Sequence, residues 1–240
     1  MSAALAAAAG PSAYWYLTRA TGAVALLLLT FAVALGVLDV RRWRSQRWPR
    51  FLVDSLHRNV SLLAMLFLAL HILTSVLDSF ASISLADAFI PFAGSYRPFW
   101  LGLGALAFDL LLAVTITSML RQRVGFRAWR AIHWLTYASW PVALLHGFGT
   151  GSDVKQAWLL IGSVACLGVM LAAVLVRIAF GWQQNRRVRA AALAGAGGFS
   201  LFLLAWLPAG PLGSNWARRS GTPSSLLAHT SQRSSGASEQ

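Results

Sequence analysis

Long apolar stretches constrain this chain more than any other feature of its sequence. A helix needs roughly 20 apolar residues to cross the hydrocarbon core of a bilayer. Six stretches approach or exceed that length, and they are residues 16–38, 51–77, 98–120, 130–149, 157–180 and 190–207. The chain is 57% hydrophobic and only 11% charged, whereas soluble domains carry roughly 25% charged residues. We therefore expect an all-α membrane protein, a six-transmembrane-helix bundle that crosses the cell membrane repeatedly.

Basic residues in the connecting loops predict the orientation of these spans. The loops at residues 39–50, 120–130 and 177–190 hold five, four and four arginines, while the alternate loops hold only Arg97 and Lys155. Cytoplasmic loops of membrane proteins carry the excess of Lys and Arg. The arginine-rich loops are therefore predicted inside and both termini outside. Because most of the basic residues lie in these short loops between apolar spans, the expected surroundings are membrane lipid, and no nucleic-acid partner is expected.

Both ends of the chain differ in composition from the apolar spans. Residues 1–15 are predicted to form an N-terminal tail without the basic region of a cleaved signal peptide. Residues 211–240 are rich in Ser and Gly, and we expect them to form a disordered tail. His229 lies in that tail and has no expected role.

Four histidines lie inside two of the predicted spans, where ionisable side chains are rare and usually functional. His57 and His71 are 14 residues apart, so on a helix they lie within about 40° of one face, with a rise of roughly 21 Å. The fourth span carries His133 and His146 and enters the membrane from the same side. His57 and His133 are therefore predicted at an inner level, and His71 and His146 at an outer level.

One histidine from each of two parallel helices, at each of two levels, is the donor set for two stacked b-type haems. Two imidazoles on one iron give a six-coordinate centre suited to electron transfer. Zinc is disfavoured because its ligands converge on one ion, and these levels are roughly 20 Å apart. Structural or proton-handling histidines remain the alternative. His133 and His146 also lie about 140° apart on an ideal helix, and Pro141 is expected to distort that helix.

The spacing His-x13-His on one span and His-x12-His two spans later resembles the ferric reductase-like transmembrane family. That family includes NADPH oxidases, ferric-chelate reductases and the haem subunit of the bacterial periplasmic methionine sulfoxide reductase system. The resemblance covers residues 16–180 as a haem-binding transmembrane core. It implies that His57 and His133 bind the inner haem and that His71 and His146 bind the outer one. Residues 181–210 would then form an additional sixth transmembrane helix.

The oxidases and ferric reductases of this family continue into a flavin- and nicotinamide-binding domain, and this sequence departs from that pattern. Its fifth span is followed by basic residues, another apolar span and the short tail. The run LAGAGG opens that span and does not follow a strand, as a dinucleotide-binding fingerprint does. The resemblance therefore implies that a separately encoded flavoprotein, or a quinol, donates the electrons.

Three arginines are candidates to pair with haem propionates, because Arg binds carboxylates with two parallel hydrogen bonds. Arg58 follows His57, and Arg130 lies one turn before His133, both at the inner level. Arg19 interrupts the first span near its outer end. Snorkelling of these side chains to the membrane interface is the alternative.

Four further positions in the spans carry weaker signals. Asp109 lies near the middle of the third span, where an ionised carboxylate is costly, so it either makes a helix-packing hydrogen bond or handles protons. Phe67 and Trp140 lie between the two levels and either line the gap or belong to the core. Gly22 would allow a porphyrin or a helix to approach closely.

The predicted function is that of a diheme b-type membrane cytochrome. It would carry single electrons across the membrane to an extracytoplasmic acceptor, either ferric iron or a partner protein. As an oxidoreductase component it would resemble ferric reductases but lack their flavin and NAD(P)H domain. Two alternatives remain open: a non-catalytic subunit that wires electrons to or from a partner reductase, and a haem-free membrane scaffold.

Overall fold

Helices form the regular structure throughout the part of the chain that the structure describes, and no strand occurs there. Such a fold suits a bilayer, because lipid offers no hydrogen-bonding partner to an open backbone. The computed structural model describes residues 12–40, 50–151, 153–180 and 185–227. In chain order the helices are α1 (Ala13–Val40), α2 (Arg50–Leu77), α3 (Leu85–Phe89), α4 (Pro98–Met119), α5 (Arg121–Val124), α6 (Phe126–His133), α7 (Thr136–Thr150), α8 (Ala157–Phe180), α9 (Arg186–Ala209) and α10 (Trp216–Arg219).

Five helices within the described residues are long and apolar enough to cross a membrane. They contain the segments Ala13–Val37, Phe51–Leu77, Pro98–Met119, Ala157–Ala179 and Arg186–Ala209. These segments coincide with the first, second, third, fifth and sixth predicted spans. The prediction of an all-α, multi-pass membrane protein is therefore confirmed.

The predicted fourth span is divided into two shorter helices. α6 has 8 residues and α7 has 15, and 15 residues rise only about 22 Å, less than the roughly 30 Å of a hydrocarbon core. Trp134 and Leu135 join them in a tight turn, in which Leu135 N–H donates to Ile132 O (2.9 Å) and Tyr137 N–H donates to Trp134 O (3.1 Å). The break thus precedes Pro141, where distortion was expected. Six spanning helices are not confirmed, and a spanning fourth segment stays a prediction.

α1 occupies the centre of the helix packing. α2 packs along one side of it, and α7 and α8 contact other sides. α4 packs against α7, α6 and α3. The buried core includes Leu29 of α1, Trp140 and Leu144 of α7, and Cys166 and Met170 of α8. α9 packs only lightly against α8 and leaves most of its apolar surface exposed, as expected of a helix at the edge of a membrane bundle.

The segment after α9 folds back onto the beginning of α4 and the end of α7. The backbone N–H of Arg97 donates to Gly221 O (3.0 Å), and Arg97 Nε donates to Thr222 Oγ1 (2.9 Å). Trp216 Nε1 donates to Gly149 O (3.1 Å). These contacts hold the segment in place at the membrane-surface ends of two core helices.

This ordered segment differs from the disordered tail expected for residues 211–240. Trp216 explains the difference, because its ring packs against Trp100 and Trp206, with centroids 5.3 and 5.9 Å away. The aromatic contacts of Trp216 keep this segment ordered although its composition is polar. Residues 228–240, including His229, lie outside the described residues, as do residues 1–11 of the predicted N-terminal tail.

Candidate functional site

The structure brings the four intramembrane histidines together as two facing pairs. The ring centroids of His57 and His133 are 6.2 Å apart, and those of His71 and His146 are also 6.2 Å apart. We name these the inner pair and the outer pair, after the predicted orientation. All four histidines line one cavity of about 330 Å³, which lies between α2 and α7 and is flanked by α1 and α4.

The separation within each pair fits two imidazoles that coordinate one metal from opposite sides. A bond from a metal to an imidazole nitrogen is about 2.0 Å, and a five-membered ring with bonds of about 1.35 Å has its centre about 1.15 Å from each ring atom. Two rings on one metal should therefore have centroids about 6.3 Å apart. Both observed separations agree with this value.

The donor set favours a haem over a bare metal ion. The described residues contain no group of three or more His, Cys, Asp or Glu side chains placed to hold a metal. A structural zinc site uses four protein ligands, whereas a porphyrin supplies four nitrogens of its own and leaves two axial positions. Two facing imidazoles are the residues that such a group needs.

Hydrogen bonds determine the tautomer of three of these histidines. His57 Nδ1 lies 2.9 Å from Ala32 O, His71 Nδ1 lies 2.7 Å from Thr18 O, and His146 Nδ1 lies 2.9 Å from Trp100 O. A carbonyl oxygen only accepts hydrogen bonds, so each Nδ1 is protonated and donates. In a neutral imidazole Nε2 is then unprotonated, with a lone pair for a metal, which is the usual arrangement of metal-bound histidines.

A glycine lies one helical turn after each of these three carbonyl groups. Gly22 follows Thr18, Gly36 follows Ala32 and Gly104 follows Trp100, in each case by four residues. A Cβ added at Gly22 would lie 2.9 Å from His71 Nδ1, one at Gly36 would lie 3.4 Å from His57 Cε1, and one at Gly104 would overlap the His146 ring. These glycines therefore make the space through which each imidazole reaches a helix backbone.

Sequence reasoning selected Gly22 but missed Gly36 and Gly104. The signal was present, because Gly22 and Gly36 are 14 residues apart, like His57 and His71. Because α1 and α2 are antiparallel, an equal 14-residue spacing on both helices can place each glycine of α1 against one histidine of α2. For Gly104 no such repeat exists, and only the packing of α4 on α7 reveals its role.

His133 differs from the other three histidines. Its Nδ1 atom is buried and has no hydrogen-bond partner among the described residues. Its ring lies 5.1 Å from the ring of Trp129. His133 is the last residue of α6, and the turn at Trp134 and Leu135 lies between it and His146. Both histidines line the cavity, although one ideal helix would place them about 140° apart.

Arg19 is the one candidate propionate partner that lines the cavity. Its guanidinium lies 3.4 Å from the centroid of the Trp15 ring, and Nη1 donates to Trp15 O (3.3 Å). Arg19 Nε forms an ion pair with Asp153. The neighbouring Thr18 carbonyl binds His71, so Arg19 lies at the end of the cavity that holds the outer pair.

The other sequence candidates lie away from the cavity. Arg58 and Arg130 are exposed and do not line it, so their pairing with propionates stays a prediction. Asp109 is half-buried and does not line it either. Trp140 belongs to the core, where its Nε1 donates to Thr30 Oγ1 (2.9 Å), and Phe67 is half-buried outside the cavity. The gap between the levels is instead lined by aliphatic side chains, which include Ala25, Leu29, Ala64, Leu68 and Leu111.

A multi-pass helical membrane protein with two facing histidine pairs in one interior cavity is the class that the fold and the site define. Residues 21–144 match the family model described as "Ferric reductase like transmembrane component". This match covers more than half of the chain, which therefore belongs to the ferric reductase-like transmembrane family, as the histidine spacing predicted. It contains His57, His71 and His133 and ends just before His146.

A curated relative supports the same assignment. The chain is 28% identical over 184 residues, which are 74% of this chain and 76% of the relative, to the protein-methionine-sulfoxide reductase heme-binding subunit MsrQ of Herminiimonas arsenicoxydans. No solved structure matches this chain.

Proposed function

We propose that this protein is a diheme b-type cytochrome that carries single electrons across the membrane. The observation that carries the proposal is the presence of two histidine pairs, each with ring centroids 6.2 Å apart. The relative named as a heme-binding subunit supports haem as the cofactor. Covalent c-type attachment uses a C-x-x-C-H motif, and this sequence has a single cysteine, which favours non-covalent b-type haem.

Each group of residues has a distinct task in this proposal. His57 and His133 hold the inner haem, and His71 and His146 hold the outer haem. When bound, each haem supplies a centre that accepts and releases one electron without binding oxygen. The backbone carbonyls of α1 and α4 keep three of the imidazoles in the tautomer that leaves Nε2 unprotonated. Arg19, at the end of the cavity with the outer pair, provides a positive charge for a propionate.

With the predicted orientation, the electron donor would lie on the cytoplasmic side and the acceptor outside. A reduced flavin or a quinol on the cytoplasmic side gives up two electrons, and the protons lost in its oxidation are released on that side. Two single-electron transfers across the membrane therefore accompany each oxidation of the donor. Because the relative is one subunit of a reductase, we favour a dedicated partner protein as the extracytoplasmic acceptor, with this chain serving as the membrane carrier.

Direct reduction of a small acceptor, such as a ferric chelate, is the second candidate. The cavity reaches the residues that connect α2 with α4, including Asp78, Phe80 and Asp87, so it is not confined to the helix bundle. A small acceptor would then approach the outer haem from this end. Activity of the isolated protein with ferric chelates, compared with activity through a reductase partner, distinguishes the two candidates.

Haem content tests the proposal directly. Purified protein, expressed with adequate haem supply, should contain two haems per chain and show the reduced-minus-oxidised spectrum of low-spin b-type haem. His229→Ala, a substitution in the terminal segment outside the described residues, should leave both haems in place. A haem content near zero in the unmodified protein would contradict the proposal and favour a haem-free scaffold.

A further inference from the structure

The inner and outer histidine pairs have unequal hydrogen bonding. Both members of the outer pair donate from Nδ1 to a backbone carbonyl, at 2.7 Å for His71 and 2.9 Å for His146. In the inner pair only His57 does so, at 2.9 Å. The buried Nδ1 of His133 has no partner among the described residues. Buried polar atoms without a partner are rare in proteins and call for an explanation.

The surface of α4 explains why His133 has no such hydrogen bond. Fourteen residues after Gly104, the interval that separates Gly22 from Gly36, α4 carries Ser118 instead of a glycine. The Ser118 hydroxyl donates to Val114 O (2.7 Å), the carbonyl one turn earlier, and accepts a hydrogen bond from Trp129 Nε1 (3.1 Å).

Trp129 also contributes to the difference in hydrogen bonding between the two ends of α4. Its ring packs against the His133 ring at an interplanar angle of 33°, while its N–H is directed to Ser118. The carbonyl that a glycine would have left open to His133 is therefore already bound by a neighbouring hydroxyl. An indole ring, rather than a hydrogen-bond acceptor, lies beside the imidazole.

We infer that this chain makes its two haem sites unequal, with the inner haem having the higher reduction potential because His133 is the weaker ligand. The inference rests on the proposed function. Donation from Nδ1–H to a carbonyl makes an imidazole a stronger electron donor, which stabilises ferric over ferrous iron. The outer site has two ligands strengthened in this way and the inner site has one. Gly22, Gly36 and Gly104 are then positioning residues that act through the histidines.

The difference in reduction potential between the two haems determines which of them an electron occupies. An electron that enters from the cytoplasmic side occupies preferentially the site with the higher potential, which is the inner one. It moves to the outer site when an acceptor there withdraws electrons. The hydrogen bonding would therefore limit the loss of electrons to adventitious acceptors outside the membrane.

Redox titration of the haem absorbance in purified protein, with and without Gly104→Ala, tests the inference. The unmodified protein should titrate in two components. In Gly104→Ala the added Cβ displaces the His146 ring from Trp100 O, so the lower-potential component should shift upward while the higher one stays. Loss of such a partner typically changes metal affinity 10- to 100-fold, and a tenfold change in the ferric-to-ferrous preference corresponds to about 59 mV.

Gly168→Ala is the matched control, because a Cβ there meets no atom within 4 Å, and it should leave both components unchanged. If Gly104→Ala shifts the higher-potential component, or neither component, the inference is overturned. If the variant loses one haem instead, the remaining haem must titrate as the higher-potential component, and any other result again overturns the inference. Haem content of the unmodified protein, measured on the same sample, shows separately whether the proposed function holds.

Ser118→Gly provides a second test at the inner site. It removes the hydroxyl that donates to Val114 O at 2.7 Å and leaves only the longer contact of Thr117 Oγ1 (3.2 Å) with that carbonyl. His133 Nδ1 should then donate to Val114 O, and the higher-potential component should shift downward. An unchanged higher component together with a shifted lower one would contradict the assignment of His133 to the high-potential site.

Discussion

At the scale of single residues, three of the four imidazoles of the site are held in one tautomer by backbone carbonyls rather than by side chains. Thr18, Ala32 and Trp100 bind the histidines through their carbonyl oxygens and not through their side chains. The glycines at positions 22, 36 and 104 cannot carry a side chain without a shift, because any Cβ approaches a histidine ring. Residue identity therefore matters most at histidine and glycine positions.

Replacing one histidine of each pair should separate the two sites, because the pairs share no ligand. His71→Ala should reduce the haem content to one per chain and stop reduction of the outer acceptor, while a cytoplasmic donor still reduces the inner haem. His57→Ala should instead block electron entry and leave the outer haem oxidised. Donor-driven reduction spectra measure both effects. A His71→Ala protein with two haems and full transfer would show that His71 is not a ligand.

At the scale of the elements, α2, α6 and α7 carry the four histidines, and α1 and α4 position three of them. α2 and α7 face each other across the cavity, α1 binds both histidines of α2, and α4 binds His146 of α7. The end of α7 is in turn fixed by Arg97, which is only 4% exposed. Burial lowers the pKa of this guanidinium, because desolvation disfavours its charged form.

Arg97→Ala should destabilise the end of α7 and the segment after α9. Arg97 Nη1 donates to Gly149 O (3.1 Å) and Thr150 O (3.0 Å), two of the unpaired carbonyls at the end of a helix. Hydrogen bonds from a charged donor are worth about 1.5–3 kcal/mol, so we expect a loss of that size in the free energy of unfolding. Thermal unfolding in detergent measures it. The exposed Lys155→Ala is the control, and an equal loss in both variants would contradict this role of Arg97.

At the scale of the whole molecule, the cavity runs along the bundle and contains both histidine pairs, so it connects the two levels of the membrane. The direction of electron flow then depends on which end faces the cytoplasm. From the positions of the arginine-rich loops in the sequence, the end near His57 and His133 is predicted to face the cytoplasm. The cavity residues Arg19, Asp78 and Asp153 lie at the opposite end, which we expect to face outward.

Cysteine labelling should confirm this orientation. Gln122 and Gln156 are both exposed and lie in loops predicted on opposite sides, and Cys166 is buried and easily removed by substitution. In a Cys166→Ala background, Gln156→Cys should react with an impermeant maleimide added to intact cells. Gln122→Cys should react only after permeabilisation. The reverse pattern would invert the proposed direction of electron transfer.

Much of this protein was predictable because the membrane imposes simple rules on sequence. Five spans, the all-α class and the family follow from apolar length and from histidine spacing, since a backbone in lipid has to form helices and a 14-residue interval returns nearly to one helix face. The break at Trp134 and Leu135 was not predictable, because no proline or glycine occurs at that point. The order of residues 211–227 also escaped prediction, because it depends on the contact of Trp216 with distant tryptophans.

The sequence alone determined that the chain crosses a membrane and that its four intramembrane histidines form two pairs at different levels, because apolar length and histidine spacing are both properties of position along the chain. Tertiary structure decided which groups hold those histidines. The carbonyls of α1 and α4 become available only where glycines let a ring approach from another helix, and the isolation of His133 depends on Ser118 and Trp129 meeting across a loop. No regular spacing in the sequence relates the residues that make these contacts, so only the tertiary structure reveals them.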